Sequence, residues 1–149
     1  MLKFRKIEQA DRSVYLKMTA DFYSSDAVLI HPSEENFKRT FDELMRSDVY
    51  AECHIFELDG TTVGYALLAK TFSQEAGGIV IWVEEIYVLP EYRGRGIGKT
   101  YLSHLIDTRG NNVRRIRLEA EKENEGAIKL YRSLGFKWLD YGQMIIDFK

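Results

Sequence analysis

The sequence predicts an α/β (α+β) fold with a mixed sheet, contained in one domain that spans residues 1–149. Segments with strand and helix periodicity alternate along the chain, which is typical of sheets covered by helices. The run Ile79 to Leu89 is β-branched, aromatic and almost entirely apolar, as expected of a central strand that is covered on both faces. Asp59-Gly60 between two strand-like segments is a strong hairpin signal. The length is that of one ordinary domain.

The N-terminal half predicts a strand, two helices and a hairpin. Residues Leu2 to Ile7 alternate apolar and polar, as a half-buried strand does. A helix follows from Asp11 to Tyr23, and its expected inward positions are Val14, Leu16, Met18 and Phe22. Ser33 is a good N-cap for a second helix, in which Phe37, Phe41, Leu44 and Met45 recur at helical spacing. The hairpin strands are Tyr50 to Leu58 and Thr62 to Lys70.

The C-terminal half continues with elements after the central strand, which ends at Pro90. The patterns predict a helix from Gly96 to Thr108, a strand from Val113 to Ala120, and a helix from Asn124 to Leu134 that Gly135 terminates. Two final strands are predicted around the turn Tyr141-Gly142, and they comprise Lys137 to Asp140 and Gln143 to Phe148.

Composition limits the partners and the location of the protein. The net charge is −2, from 21 basic and 23 acidic residues, and like charges form no long run, so neither nucleic acid nor a membrane is an expected partner. The first residues contain no apolar stretch typical of a signal peptide, and no 18 consecutive residues are apolar. We therefore expect a cytoplasmic protein. Cys53 is the single cysteine, which excludes an internal disulfide and predicts a small buried apolar residue.

The stretch EYRGRGIGKT, residues 91–100, resembles two phosphate-binding loops without fitting either. A P-loop that ends in Gly98-Lys99-Thr100 requires glycine at position 93, where the chain has Arg93. A dinucleotide fingerprint that begins at Gly94 requires glycine at position 99, where the chain has Lys99. A nucleotide triphosphatase and a dinucleotide enzyme are therefore both disfavoured.

A third pattern fits every position. Arg93-x-x-Gly96-x-Gly98 matches [QR]-x-x-G-x-[GA] after a buried strand and at the start of a helix. A second block, NEGAIKLYRSLGF from Asn124 to Phe136, matches N-x-x-[AS]-x-x-[LF]-Y-x-x-x-G-F. With both motifs in this order, the sequence closely resembles the GNAT superfamily of acyl-CoA-dependent N-acyltransferases, and is somewhat similar to its diamine acetyltransferase-like members.

This resemblance implies a fold and an activity. The implied fold is a single N-acetyltransferase domain with six to seven mostly antiparallel strands and about four helices, splayed after the fourth strand. The implied reaction is direct transfer of the acetyl group of acetyl-CoA to a primary amine of a small molecule or peptide, without a metal. Relatives are often dimers, so a homodimer is a further expectation. The alternative is a catalytically silent CoA-binding sensor or regulatory module.

The resemblance also implies which residues bind acetyl-CoA. Backbone groups of Ile86, Tyr87 and Val88 are expected to bind the acyl-pantetheine arm, with the N–H near Val88 as the oxyanion donor. The pyrophosphate is expected at the helix N-terminus, where unpaired N–H groups favour an anion. The residues of this loop are Arg93, Gly94, Arg95, Gly96, Ile97, Gly98, Lys99 and Thr100. From the second motif, Asn124, Ala127 and Tyr131 complete the predicted cofactor site.

The catalytic candidates are one tyrosine and two adjacent carboxylates. Tyr131 corresponds to the general acid of the family, and a core packing role is its alternative. Glu84 and Glu85 point to opposite faces of a regular strand, so one of them faces the site, and a bulge would shift the count. The resemblance favours Glu84 as the base, directly or through water, while a structural carboxylate remains the alternative. Weaker candidates for an acceptor wall are Asp21, Asp26, His31, Glu34 and Glu35.

Overall fold

A computed structural model describes residues 1–25 and 28–149 of the chain. The described residues form two compact units, Met1–Glu119 and Ala120–Lys149, which are described here in turn. The prediction of a single domain for residues 1–149 stays a prediction. Among the described helices, none has the length and apolar character needed to cross a membrane.

The first unit is built on a five-stranded mixed sheet. Its strands are β1 (Leu2–Lys6), β2 (Ala51–Leu58), β3 (Thr61–Ser73), β4 (Gly78–Val88) and β5 (Val113–Leu118), which lie in sequence order. The first four pair antiparallel, and β5 pairs parallel with β4. The helices are α1 (Arg12–Ser24), α2 (Glu34–Arg46) and α3 (Ile97–Thr108). Ser33 occupies the N-cap position of α2, as the sequence predicts, although its side chain makes no capping hydrogen bond. Residues 59 and 60 have positive φ in the predicted hairpin turn.

The core covers both faces of this sheet. On one face, α1 and α2 pack Tyr15, Met18 and Phe41 against strand residues that include Ile55 and Cys53, so the predicted burial of Cys53 is confirmed. On the other face lies α3. There the Tyr101 ring lies 4.8 Å from the ring of Phe56, the residue next to Ile55 on β2. Because successive strand residues face opposite sides, helices cover the sheet from both sides.

The inward face of α1 agrees with the predicted one in part: Met18 is buried, and Val14, Leu16 and Phe22 pack against the core while partly exposed. Its buried residues are Tyr15, Met18 and Thr19, whereas Val14 and Leu16 are only partly buried. Tyr15 and Thr19 are four residues apart and lie on one helical face. The sequence prediction missed Tyr15 and Thr19 because it counted only side chains without hydroxyl groups as inward.

The middle of β4 carries a bulge. Leu67 of β3 pairs with Glu85 and Leu68 pairs with Val83, so Glu84 is an extra residue opposite the β3 ladder. The ladder with β5 runs from Ile79 to Val83 and then stops. Within the described ranges, residues 84–88 have no strand partner on that edge. The predicted opening of the sheet after the fourth strand is thus confirmed.

The second unit contains one helix, α4 (Glu125–Ser133), with Asn124 at its N-cap and Gly135 in the left-handed region at φ 98°. The two strands predicted after it are wrong, because residues 137–149 form neither helix nor strand and their side chains are exposed. A strand requires a ladder partner, which β-propensity alone does not supply. The sheet of the described chain therefore has five strands rather than six to seven, within the predicted fold class.

Candidate active site

The loop between β4 and α3 has the geometry of an anion-binding helix N-terminus. The helical ladder of α3 begins with the Thr100 N–H, which donates to the Gly96 carbonyl at 2.9 Å. The N–H groups of Ile97, Gly98 and Lys99 precede this bond and lie outside the ladder. Gly94 and Gly96 both have φ of 76°, a conformation that side chains disfavour. A Cβ built on either glycine meets no atom within 4 Å, so the space in front of the loop is open among the described residues.

The side chains of this loop bind backbone groups of their own segment. Arg93 donates from Nε to the Val88 carbonyl at 2.7 Å, and Arg95 donates from Nη2 to the Glu91 carbonyl at 3.1 Å. Arg93 also lies over the Tyr87 ring, 5.5 Å from its centroid. The Thr100 hydroxyl donates to the Gly96 carbonyl at 2.8 Å. These contacts fix the shape of the loop, and they leave the N–H groups of Ile97, Gly98 and Lys99 outside the helical ladder.

The last residues of β4 present backbone groups on an open edge. The Leu89 N–H donates to Val63 on β3 at 2.8 Å, so the backbone of Leu89 faces β3. Since neighbouring strand residues direct their backbone groups to opposite edges, those of Val88 point away from β3. The Val88 carbonyl accepts the bond from Arg93, as described above. The Val88 N–H is therefore directed to the edge at which β5 no longer pairs, as the oxyanion hypothesis requires.

The two carboxylates of β4 lie in different environments because the bulge separates them. Glu84 is the bulged residue and is exposed, whereas Glu85 is only 5% exposed. Although the residue is exposed, its carboxyl is partly desolvated by its surroundings, which raises the pKa of Glu84, and the charges of Glu119 and Glu85 raise it further. A carboxylate with a raised pKa is suited to accept a proton near neutral pH. The bulge that the sequence analysis treated as an alternative is present.

Glu85 is bound by three hydroxyl groups. Its Oε1 accepts from Thr19 at 3.3 Å and from Tyr65, and its Oε2 accepts from Tyr23 at 2.7 Å. Burial raises the pKa of the carboxyl, and the three hydroxyl donors oppose that effect. A buried carboxylate needs such partners, because its desolvation is otherwise costly. Glu85 is thus fixed between α1, β3 and β4.

The predicted acceptor-wall residues lie at the end of α1 and the start of α2. Asp21 is exposed and accepts a hydrogen bond from the Tyr87 hydroxyl. His31 Nδ1 lies 2.6 Å from the Tyr23 carbonyl. Glu34 and Glu35 form the first turn of α2 and are exposed. Asp26 lies outside the described residues. Of these residues, Asp21 has the most direct link to β4, because its hydrogen-bond donor Tyr87 lies on that strand, two residues after Glu85.

The second motif forms α4 in the second unit. The Asn124 side chain accepts from the Ala127 N–H at 3.1 Å, which is the helix-capping role considered for it. Tyr131 is half-buried and lies edge-to-face with Phe136, with the ring centroids 6.0 Å apart. Burial raises the pKa of the Tyr131 phenol. A phenol of this kind keeps its proton through the neutral range and can donate it.

Sequence reasoning missed the hydroxyl donors around Glu85. Thr19 and Tyr23 are four residues apart on α1, and Tyr65 lies on β3. A signal was present, because a glutamate inside an apolar strand requires donors from its neighbours. Tyr15, Thr19 and Tyr23 recur every four residues, which places hydroxyl-bearing side chains on one helical face.

Comparison with known proteins agrees with this geometry. The family model described as acetyltransferase (GNAT) family matches residues 15–136 and therefore includes residues of both units. The N-alpha-acetyltransferase RimI of Mycobacterium tuberculosis is 39% identical over 83 residues, which cover 52% of this chain and 47% of that protein. The chain spans less than half the length of this and two other curated relatives that it matches.

Two further matches extend over most of the chain. The spermine/spermidine N(1)-acetyltransferase of Bacillus subtilis is 24% identical over 135 residues, which cover 85% of this chain and 89% of that enzyme. A crystal structure of a predicted acetyltransferase with acetyl-CoA from Clostridium acetobutylicum has a TM-score of 0.77 at 18% identity, and covers 98% of this chain and 96% of that one. The resemblance inferred from the two motifs is confirmed: the chain belongs to the GNAT family of acetyltransferases.

Proposed function

We propose that this protein is an acetyl-CoA-dependent N-acetyltransferase that transfers the acetyl group directly to a primary amine of a small molecule or peptide. The observation that carries the proposal is that three features follow one another along the chain. These are the β4 edge that β5 leaves unpaired, the left-handed Gly96, and the first N–H groups of α3, which lie outside its helical ladder. An edge of this kind can pair with the amide groups of pantetheine, and a helix N-terminus binds pyrophosphate. Family membership and the named activities of the relatives support it.

In the proposed reaction, the amine nitrogen attacks the thioester carbonyl and the C–S bond of acetyl-CoA breaks. The Val88 N–H stabilises the oxyanion of the tetrahedral intermediate. Glu84 accepts the first proton of the acceptor ammonium, directly or through water, and Tyr131 donates a proton to the leaving sulfur. The second proton, which the nitrogen loses as the amide forms, returns through solvent to the Tyr131 phenol. The raised pKa of Glu84 supports its role as the base. Burial raises the pKa of Tyr131, so its phenol keeps its proton at neutral pH and transfers it only where it is well positioned against the sulfur. The products are an N-acetylated amine and CoA.

The acceptor is proposed as a class. The Bacillus subtilis relative is named for spermine and spermidine, and the Mycobacterium tuberculosis relative for an N-alpha amine, so small amines and peptide N-termini both belong in the test set.

Isothermal titration calorimetry with acetyl-CoA and ATP tests the cofactor assignment. We expect saturable binding of acetyl-CoA at one site per chain and no binding of ATP, because Arg93 replaces the glycine that a P-loop requires. Binding of ATP without binding of acetyl-CoA would overturn the proposal. Titration with CoA alone serves as a control, since the pyrophosphate and pantetheine contacts do not depend on the acetyl group.

A further inference from the structure

Glu85 accepts hydrogen bonds from three side-chain hydroxyls, which occupy both of its oxygens, and it lies beside the bulged Glu84. We propose that Glu85 is a positioning residue, which ties the last turns of α1 to β4 and thereby holds the Glu84 carboxylate in one place. This inference rests on the proposed role of Glu84 as the base. It assigns a function to Thr19, Tyr23 and Tyr65, the three residues whose hydroxyls reach Glu85.

The contacts of Glu85 connect three elements. Thr19 and Tyr23 approach from α1, and Tyr65 approaches from β3, so that both oxygens of the carboxylate are occupied. The Tyr23 ring also stacks on Phe37 of α2, with 5.6 Å between the centroids and 23° between the planes. A buried acceptor is cut off from water, so each hydroxyl donor that binds it restrains its position. The Glu85 side chain therefore has one position relative to α1 and β3.

The neighbouring bulge depends on that position. Glu84 has no pairing partner on β3, because the ladder passes directly from Val83 to Glu85. The backbone of a bulged residue is held by the residues on either side of it. Of these, Val83 is held by its pairing with Leu68 and Leu118, and Glu85 is held by its pairing with Leu67 and by the three hydroxyls. Loss of a hydroxyl donor loosens one of the two supports of Glu84.

A general base must lie within hydrogen-bonding reach of the proton that it removes, and small displacements lower the rate. Tyr23→Phe is the sharpest perturbation, because it deletes one donor and retains the ring that stacks on Phe37. Tyr65→Phe is a second variant that removes a donor from β3. Tyr101→Phe is the matched control for Tyr65→Phe: both residues are fully buried, Tyr101 lies on the opposite face, and its hydroxyl lies 2.8 Å from His54 Nδ1.

The test is a double-mutant cycle between Tyr23→Phe and Glu84→Gln, with kcat, the acceptor KM and the acetyl-CoA Kd measured for each protein. We expect Tyr23→Phe to lower kcat by about fivefold to tenfold in the wild-type background and by less than about twofold in the Glu84→Gln background, with an unchanged acetyl-CoA Kd. Tyr65→Phe should behave in the same way. Tyr101→Phe should lower the melting temperature and leave kcat unchanged.

Three outcomes would contradict this expectation in distinguishable ways. An active wild type in which both hydroxyl variants keep their kcat shows that Glu85 has a purely structural role. An equal loss of kcat in both backgrounds shows that the hydroxyls act independently of Glu84. Either result overturns the inference and leaves the proposed function standing. A folded wild type that acetylates no amine overturns the proposed function and the inference with it.

Discussion

At the scale of single residues, the central distinction is between Glu84 and Glu85. The two are adjacent in sequence, and in a regular strand they would face opposite sides of the sheet, so the alternation alone does not decide which one faces the site. The bulge places Glu84 outside the β3 ladder, where it is exposed, and leaves Glu85 buried under three hydroxyls. A base must be reached by the acceptor from which it removes a proton. Of these two carboxylates, Glu84 is the exposed one, and its pKa is raised.

The pH dependence of the reaction tests this assignment. Because a base must be ionised, we expect kcat/KM to rise with pH through the raised pKa of Glu84. Glu84→Gln should lower kcat/KM at neutral pH by about 10²-fold and recover partly at high pH, where the free amine forms without help. Glu85→Gln should lower kcat/KM at neutral pH much less. In the Glu85→Gln variant, the rise of kcat/KM with pH should remain but occur at lower pH, because the charge of Glu85 is one cause of the raised pKa of Glu84.

The control is the comparison of the two variants across one pH series of initial rates. If Glu85→Gln shows the large loss with alkaline recovery and Glu84→Gln does not, the base is Glu85. If the profiles of both variants coincide with that of the wild type, solvent or the substrate handles the proton.

Tyr131 carries the second prediction at this scale. Tyr131→Phe removes only the hydroxyl and keeps the edge-to-face contact with Phe136, so α4 should remain folded. We expect kcat to fall by roughly 10²-fold, the effect of losing a positioned acid, while the acetyl-CoA Kd changes little. Steady-state kinetics and calorimetry on the same preparation measure both quantities. Tyr50→Phe, at an exposed position, is the control. A kcat within about twofold of wild type would make Tyr131 a packing residue.

At the scale of elements, the start of α3 is the proposed determinant of cofactor binding. Gly96 is the N-cap of α3 in the left-handed conformation, whereas Gly98 lies in the first turn with ordinary helical geometry. A Cβ on Gly98 would lie 3.8 Å from Ile86 Cγ2, an ordinary contact. The two glycines therefore serve different purposes. Position 96 needs glycine for its backbone conformation, and position 98 needs only a small side chain.

This difference gives a matched pair of variants. Gly96→Ala places a side chain in the left-handed region at a cost of about 1–2 kcal/mol, so the loop should relax and acetyl-CoA affinity should fall by about tenfold. Gly98→Ala should keep the affinity within about threefold and should not lower the melting temperature. Calorimetric titration of both folded variants with acetyl-CoA provides the comparison. Equal affinities for the two variants and the wild type would show that this loop does not bind the cofactor.

Elements whose boundaries are marked by special residues could be predicted from the sequence. Ser33 before α2, the Asp59-Gly60 turn and Gly135 after α4 each encode a local backbone conformation, and the structure places them as predicted. The bulge at Glu84 could not be located in advance, because it depends on which residues of β3 lie opposite. The hydroxyl donors to Glu85 were missed for a similar reason, since Tyr65 is 20 residues away in the sequence. The two strands predicted within residues 137–149 failed because a strand depends on its partner.

At the scale of the whole molecule, each unit contributes one of the two motifs that define the family. Arg93 to Gly98 lies in the first unit and Asn124 to Phe136 lies in the second. The family match over residues 15–136 includes both. A protein that had retained only cofactor binding would need the first motif and the β4 edge. The chain also has Tyr131 and the exposed Glu84, the proposed acid and base, and a protein that only bound the cofactor would have no use for these roles.

Direct observation of acetyl transfer is therefore the decisive measurement. The purified chain would be incubated with acetyl-CoA and, separately, with polyamines, amino acids, aminoglycosides, and peptides with free N-termini or lysines. Release of the CoA thiol would be followed together with the mass of each amine. We predict that at least one amine gains a single acetyl group in a one-to-one ratio with the CoA released, and that the protein itself acquires none. Saturable binding of acetyl-CoA without acetylation of any amine class would contradict the account and identify a CoA-binding sensor.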